Sequence, residues 1–245
     1  MMHRFFADEN RSDSDTVFLT PEDAHHALAV LRLKTGDQVE VLRQRQRFLA
    51  EITDTADGQV RLSLLSSLPG TEPSLAITLF QGLPKGDKMD WVVQKAAEIG
   101  VSRIIPLQMQ RCVVRIDPKD FRRKTERWQR IAHESCKQCG RGVEPEVAEP
   151  ISVSGLPPLM QPLDAVMVPW EECGRGGPMA FVGAHPRLSS LGVVIGPEGG
   201  ITPEEMAFLQ SYACVPVTLG PRILRAETAG LAAVSAILAL YGEME

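Results

Sequence analysis

Apolar residues fall in short, nearly unbroken runs over the C-terminal two thirds of the chain, and helical patterns separate them. LAITLFQGL (75–83), VSRIIPL (101–107), LDAVMVP (163–169), Val193–Ile195 and the run that ends at Leu219 and Gly220 read as strands buried on both faces. Between the first two lies a helix begun at Asp87 and ended at Gly100, with Met89, Val92, Val93, Ala96 and Ala97 on one face. That is a βαβ unit, which predicts a parallel sheet. A second helix starts at Asp117-Pro118 and turns Phe121, Trp128, Ala132 and Cys136 inward. A third opens at Thr202, where Pro203 suits the first turn and Glu205 completes a capping box. The last, Ala226 to Tyr241, is apolar on nearly every side, which predicts burial all round, and Gly242 closes it. Pro157, Pro158 and Pro162 mark a loop, and a short helix is expected around 178–183.

The first 70 residues have a different rhythm. Thr20, Pro21 and Asp23 start a helix carrying His25, His26, Leu28 and Leu31, and Gly36-Asp37 end it. QVEVLR, RFLAEIT and QVRLSLL then read as three short strands, with Asp57-Gly58 as a hairpin turn. Arg43, Arg45 and Arg47 alternate and share a strand face if that segment stays extended. SSLPGTEPS (66–74) has the composition of a linker. The expected organisation is a small, mostly β domain over 1–70 and an α/β domain over 75–245.

Charge changes this picture locally rather than globally. The formal net charge is -5, no overall sign of nucleic-acid binding, but residues 111–141 hold ten Lys or Arg against four Asp or Glu. Such a helix is either a solvated face or an RNA-contacting one. Five cysteines without secretory features suggest reduced thiols in the cytoplasm. Cys136 and Cys139 form a CxxC with no second pair and no histidine in ligand spacing, so no metal is expected. The N-terminus lacks the apolar core of a signal peptide, and no apolar run suits a membrane span.

Two C-terminal stretches carry the candidate chemistry. In LGVVIGPEGGITPEE (191–205) and CVPVTLGPRILRAETAGLAAVSAI (214–237), an apolar run ends at a glycine, a tight loop follows and a helix begins. That arrangement places a ligand at the carboxyl ends of the strands of an α/β sheet, where Pro169, Trp170 and Glu171 should also lie. The first loop is neither GxGxxG nor GK[ST], and it carries Glu198. Fixed negative charge suits a cationic ligand such as S-adenosylmethionine better than a pyrophosphate. The second loop carries Arg222 and Arg225, then Glu227 and Thr228 in the first turn of the helix.

IGPEGGITPEE followed by LGPRILRAETAGLAA resembles the RsmE family of ribosomal RNA methyltransferases, within the SPOUT class. The resemblance extends to RFF (4–6), HHALAVLRLKTGD (25–37) and KGDKMDWVVQKAAEIGVSRIIPL (85–107). KQCGR (137–141) departs from the EQSGR common in the family at Lys137, while Gln138 and Arg141 match. The resemblance implies a PUA-like RNA-binding β domain, then a parallel α/β sheet whose C-terminal part threads a trefoil knot. Knots run against the general rule for chain connections, and nothing in the pattern itself announces one.

The resemblance also implies a homodimer, small-subunit ribosomal RNA as partner, and methylation of N3 of a uridine in the decoding region. It assigns S-adenosylmethionine to Pro169, Trp170, Glu171, Ile195, Gly196, Glu198, Gly199, Gly200, Leu219, Gly220, Ile223, Leu224, Arg225 and Thr228. Catalytic roles fall to Arg225, Arg222 and Glu227, and RNA contact to Arg4, His25, His26, Arg32, Lys88, Arg111, Gln138 and Arg141. Two rivals stay open on the residues alone: a nucleotide-dependent enzyme of ordinary α/β type, and a non-catalytic RNA-binding assembly factor.

Overall fold

A computed structural model describes residues 2–13, 16–44 and 46–244. Internal contacts divide the chain into two compact units, Met1–Glu72 with Cys136–Val143, and Pro73–Ser135 with Glu144–Glu245.

The first unit contains β1 (Arg4–Phe6), β2 (Val17–Phe18), α1 (Pro21–His25), β3 (Gln38–Arg43), β4 (Gln46–Asp54) and β5 (Arg61–Leu68). The strand order is β1-β3-β4-β5-β2, with β1 parallel to β3 and the other pairs antiparallel. A bridge between Ala7 and Leu19 ties the two edge strands together, so the sheet closes on itself and leaves little free edge. Alternate strand residues, Val39 and Val41, Ala50 and Ile52, and Leu62, fill the interior with Phe5, Val17 and Leu19. Asp57 (φ 54°) and Gly58 (φ 72°) are both left-handed, which is what a tight hairpin between β4 and β5 requires.

Two details of this unit differ from the sequence reading. The arginine segment does not stay extended: β3 ends at Arg43, Gln44 turns left-handed (φ 48°) and β4 begins at Gln46. Arg43 and Arg47 therefore lie on different strands, and Arg45 lies outside the described residues. β5 also runs through Leu68, so the first residues of the expected linker are strand. Thr20 caps α1 as the sequence suggests, and a π-helical turn, His26–Val30, continues it.

The second unit contains β6 (Ala76–Gly82), α2 (Lys88–Glu98), β7 (Arg103–Gln108), α3 (Phe121–Cys139), β8 (Glu146–Val147), β9 (Ile151–Ser152), α4 (Pro157–Met160), β10 (Ala165–Pro169), α5 (Pro178–Ala184), β11 (Ser190–Ile195), α6 (Pro203–Ser211), β12 (Val215–Val217) and α7 (Ala226–Leu240). The last turn of α3 and the loop after it belong to the first unit, which nothing in the sequence pattern announces. The seven strands form one parallel sheet, ordered β12-β10-β11-β6-β7-β8, with β9 also on β7. Its central strands are continuous apolar runs because helices cover both faces.

Asp87 stands at the start of α2, but its side chain makes no capping bond. Pro157 and Pro158, expected in a loop, occupy the first turn of α4, where proline's fixed φ is tolerated. The expected all-round burial of α7 is not what the single chain shows. Ala226, Gly230, Ala233, Val234, Ile237 and Leu238 are buried, while Thr228, Ala239 and Leu240 are exposed. One side of the helix packs into the core and the rest is half-buried, with exposed residues only in the first turn and at the C-terminal end.

Candidate active site

The order β12-β10-β11-β6 sets three carboxyl ends side by side, those of β10, β11 and β12. The loops that leave them, 170–177, 196–202 and 218–225, therefore meet. Trp170 N–H donates to Val217 O (3.0 Å), and Thr218 N–H donates to Gly176 O (3.0 Å). Two adjoining clefts open between them, of about 500 and about 300 Å³, and share Pro169, Glu171, Ile223, Leu224 and Ala229. Of the fourteen residues the resemblance assigns to the cofactor, all but Gly199 and Thr228 line one cleft or the other.

The 196–202 loop is set by close packing. Gly200 is left-handed (φ 76°), and a side chain there would collide with the Glu171 carboxylate. A Cβ on Gly82, at the end of β6, would fall 2.6 Å from Pro197 N, so the loop lies directly on that strand. Thr202 and Glu205 form the expected capping box, and Glu205 Oε1 also accepts from Gln110 N–H (2.8 Å). Arg111 donates to Gly199 O (3.1 Å), so this arginine, an expected RNA contact, braces the loop.

The 218–225 loop is more open. Thr218 Oγ1 accepts from Gly220 N–H (3.1 Å). Arg222, Ile223 and Arg225 are exposed, Ile223 to 87%. Arg225 begins α7, where its carbonyl accepts from Ala229 N–H (2.8 Å). Trp170 lines the larger cleft, and its buried indole N–H finds no acceptor among the described residues.

Two carboxylates meet one ammonium where Glu198 enters the lining of the smaller cleft. Lys88 Nζ lies 2.8 Å from Glu227 Oε1 and 3.7 Å from Glu198 Oε1. Glu198 Oε1 also accepts from Lys85 N–H (3.0 Å). Burial works against ionisation of Glu227, but Lys88, the backbone N–H of its own helix turn and the charge of Arg225 outweigh it and hold the carboxyl below its ordinary range. Lys88, expected at RNA, is thus engaged at the site.

The other expected RNA contacts separate by burial. Arg141 is 4% exposed and binds Glu72 through two nitrogens (2.6 and 3.0 Å), which turns it into the interior of its unit. Arg4 is committed to Glu40 (2.9 Å) and to the carbonyl of Lys137 (2.7 Å). Lys137 itself pairs with the buried Asp23 (2.6 Å). His25, His26, Arg32 and Gln138 are exposed on the first unit. On α3 and the turn before it, Lys119, Arg122, Arg123 and Arg127 each face a carboxylate, so much of the basic run is balanced locally.

Cleft residues outside the predicted loops 169–171, 195–200 and 219–228 are Cys173, Gly174, Thr218, Ile201 and Ala229. Most are immediate neighbours of predicted ones, so reading each loop whole would have found them. The pairing of Lys88 with Glu227 has no sequence signal, since 139 positions separate the partners.

The chain thus folds a parallel α/β sheet with a cleft built from two glycine turns at the carboxyl ends of its strands, and a separate small β unit. The model for the RNA methyltransferase domain matches residues 71–238 and that for the RNA methyltransferase PUA domain matches 19–65, so the chain belongs to the RNA methyltransferase family. It is 36% identical to the Ribosomal RNA small subunit methyltransferase E of Bacillus subtilis (strain 168), over 96% of each chain. Among solved structures it is similar to a Ribosomal RNA small subunit methyltransferase E from Neisseria gonorrhoeae bound to S-adenosyl methionine, with TM-score 0.80, 31% identity and 98% of each chain covered. A candidate methyltransferase from Legionella pneumophila, solved with SAM bound, aligns with TM-score 0.84, 30% identity and 98% of each chain.

Proposed function

We propose that this chain is an S-adenosylmethionine-dependent methyltransferase of small-subunit ribosomal RNA, acting on N3 of a uridine in the decoding region. The observation that carries the reading is the double cleft at the carboxyl ends of β10, β11 and β12, in a family whose relatives are solved with that cofactor. Its residues fit such a ligand. Glu171 and Glu198 would supply negative charge to a cationic sulfur, and the indole N–H of Trp170, without an acceptor among the described residues, would be a donor for the ligand. Apolar Leu219, Ile223 and Leu224 can cover an adenine. The reading includes a C-terminal knot, a homodimer that packs across α7, RNA binding by the first unit, and work in the cytoplasm where subunits are assembled.

When bound, the cofactor supplies an electrophilic methyl group on a sulfonium. The chain's own task is alignment, since holding a nucleophile in line contributes a large share of rate. N3 of uracil must lose its proton to react, and negative charge then spreads over the base. Arg225 and Arg222, exposed at the rim, are fixed cations suited to that charge. Neither takes the proton, because guanidinium keeps its own. Glu227, held ionised by Lys88, and Glu198 are the carboxylates of the site to which that proton can pass. The target base must leave its stack to enter, at a cost of a few kcal/mol.

Small subunits lacking the modification, incubated with the protein and S-adenosylmethionine, are digested and analysed by mass spectrometry. The expected product is one N3-methyluridine. RNA that is bound but unmodified would replace this reading with the assembly-factor one.

A further inference from the structure

Lys88 lies on α2, Glu198 on the loop after β11, and Glu227 in the first turn of α7. These elements are remote in sequence, and the last two both contribute residues to the wall of the smaller cleft. The ammonium is 31% exposed, and the carboxylates are 17% and 18% exposed. Each carboxylate also has one oxygen, Oε2, that is buried and finds no partner among the described residues. Such oxygens are costly to bury ionised, and two carboxylates so placed repel each other unless a cation stands between them.

We propose that Lys88 is a positioning residue whose ammonium clasps Glu198 and Glu227 and so fixes the spacing of the two loops that hold the methyl donor. The proposal rests on the reading of the cleft as an S-adenosylmethionine site. The charged groups that act on the clasp are Lys88 from α2, Arg225 from the start of α7 and the two carboxylates; the backbone N–H of Lys85 supplies a further donor. Without Lys88, the two carboxylates face each other with no cation between them, and their repulsion spreads the loops. Loss of Lys88 leaves Glu227 with the burial that raises its pKa and without the pairing that lowers it, so in acid Glu227 takes a proton, the repulsion falls, and the loops close again. A residue that merely packs would show no such dependence.

The test uses the full chain as wild type, Lys88→Met, and Lys88→Met with Glu227→Gln. Affinity for S-adenosylmethionine is measured by calorimetry from about pH 5.5 to about pH 8.5, roughly 1.5 units either side of neutral. Amide exchange of residues 196–202 and 226–230 is followed without ligand. Lys88→Met is expected to bind about tenfold more weakly at the alkaline end, with the deficit shrinking in acid, and the double variant to recover most of it. Exchange in both segments should rise in Lys88→Met and fall back in the double variant. Unchanged affinity and exchange, or a pH-independent loss that Glu227→Gln does not relieve, would overturn the proposal. Wild-type protein that fails to bind the ligand would remove the cleft reading instead, and the exchange data would still decide the role of Lys88.

Discussion

The guanidinium of Arg111 donates to the carbonyl of Gly199 across 3.1 Å, and a Cβ on that glycine would stand 2.8 Å from the Cβ of Arg111. The arginine thus occupies the space that only glycine leaves open. Gly200 beside it is left-handed, with the Glu171 carboxylate where a side chain would go. Two successive glycines are required for two different reasons, one steric and one conformational as well.

Gly200→Ala should therefore cost about 1–3 kcal/mol of local strain. It should weaken S-adenosylmethionine binding more than it lowers the melting temperature. Calorimetry and thermal unfolding of the same sample measure the two effects, and equal binding by the variant would show that the turn is not part of the ligand site.

Arg225→Ala should lose methyl transfer by about 10²–10³-fold, the range for removing one donor aimed at developing charge, well beyond any loss of cofactor affinity. Arg225 is exposed and begins α7 through its backbone, so the truncation leaves the helix start intact. Single-turnover transfer to small subunits is the measurement, and wild-type rates would exclude the assigned role.

Stability of the first unit should fall in acid through Glu40. Burial raises the pKa of this carboxyl, but hydrogen bonds from Arg47 (2.6 Å) and Arg4 (2.9 Å) win and lower it from 4.5. A lowered folded value means stability that is present above pH 4.5 and is lost as pH falls toward and through the folded pKa. Glu40→Gln should be less stable near neutrality and should flatten that acid limb in urea titrations. An unchanged limb would place the acid sensitivity elsewhere.

The thiols should separate by position. Burial pushes Cys214 up to about 11 and raises Cys112 as well, so neither should react with a maleimide in the native state. Cys139 is exposed, and Cys173 lines the larger cleft. Saturating S-adenosylmethionine should slow labelling of Cys173 and leave Cys139 unaffected. Peptide mapping after timed alkylation reads both, and equal rates at Cys173 with and without ligand would argue against occupancy of that cleft.

Some of this molecule is written locally. The apolar runs at 76–82, 103–108 and 190–195 had to be strands, because each is too short and too continuous for a surface helix. The capping box at Thr202 and the turn at Asp57-Gly58 depend on neighbours three residues apart or fewer, and both formed as read. The glycine motifs likewise announced the cleft, since a turn that must pass close to a ligand has to state it in its own residues. The expected arginine face at 43–47 failed for the complementary reason. A hairpin needs a turn wherever the partner strand returns, and alternation alone does not reveal where that is.

Other features were decided only when remote parts met. Lys137 reads as one more charge on a basic helix until the fold sets it 2.6 Å from buried Asp23, and Arg141 reads as an RNA contact until Glu72 takes it inside. Lys88 becomes a clasp only because α2, the 196–202 loop and α7 converge. A charged side chain carries no mark of its partner in sequence, for its pairing is set by distance and desolvation, and both belong to the tertiary structure.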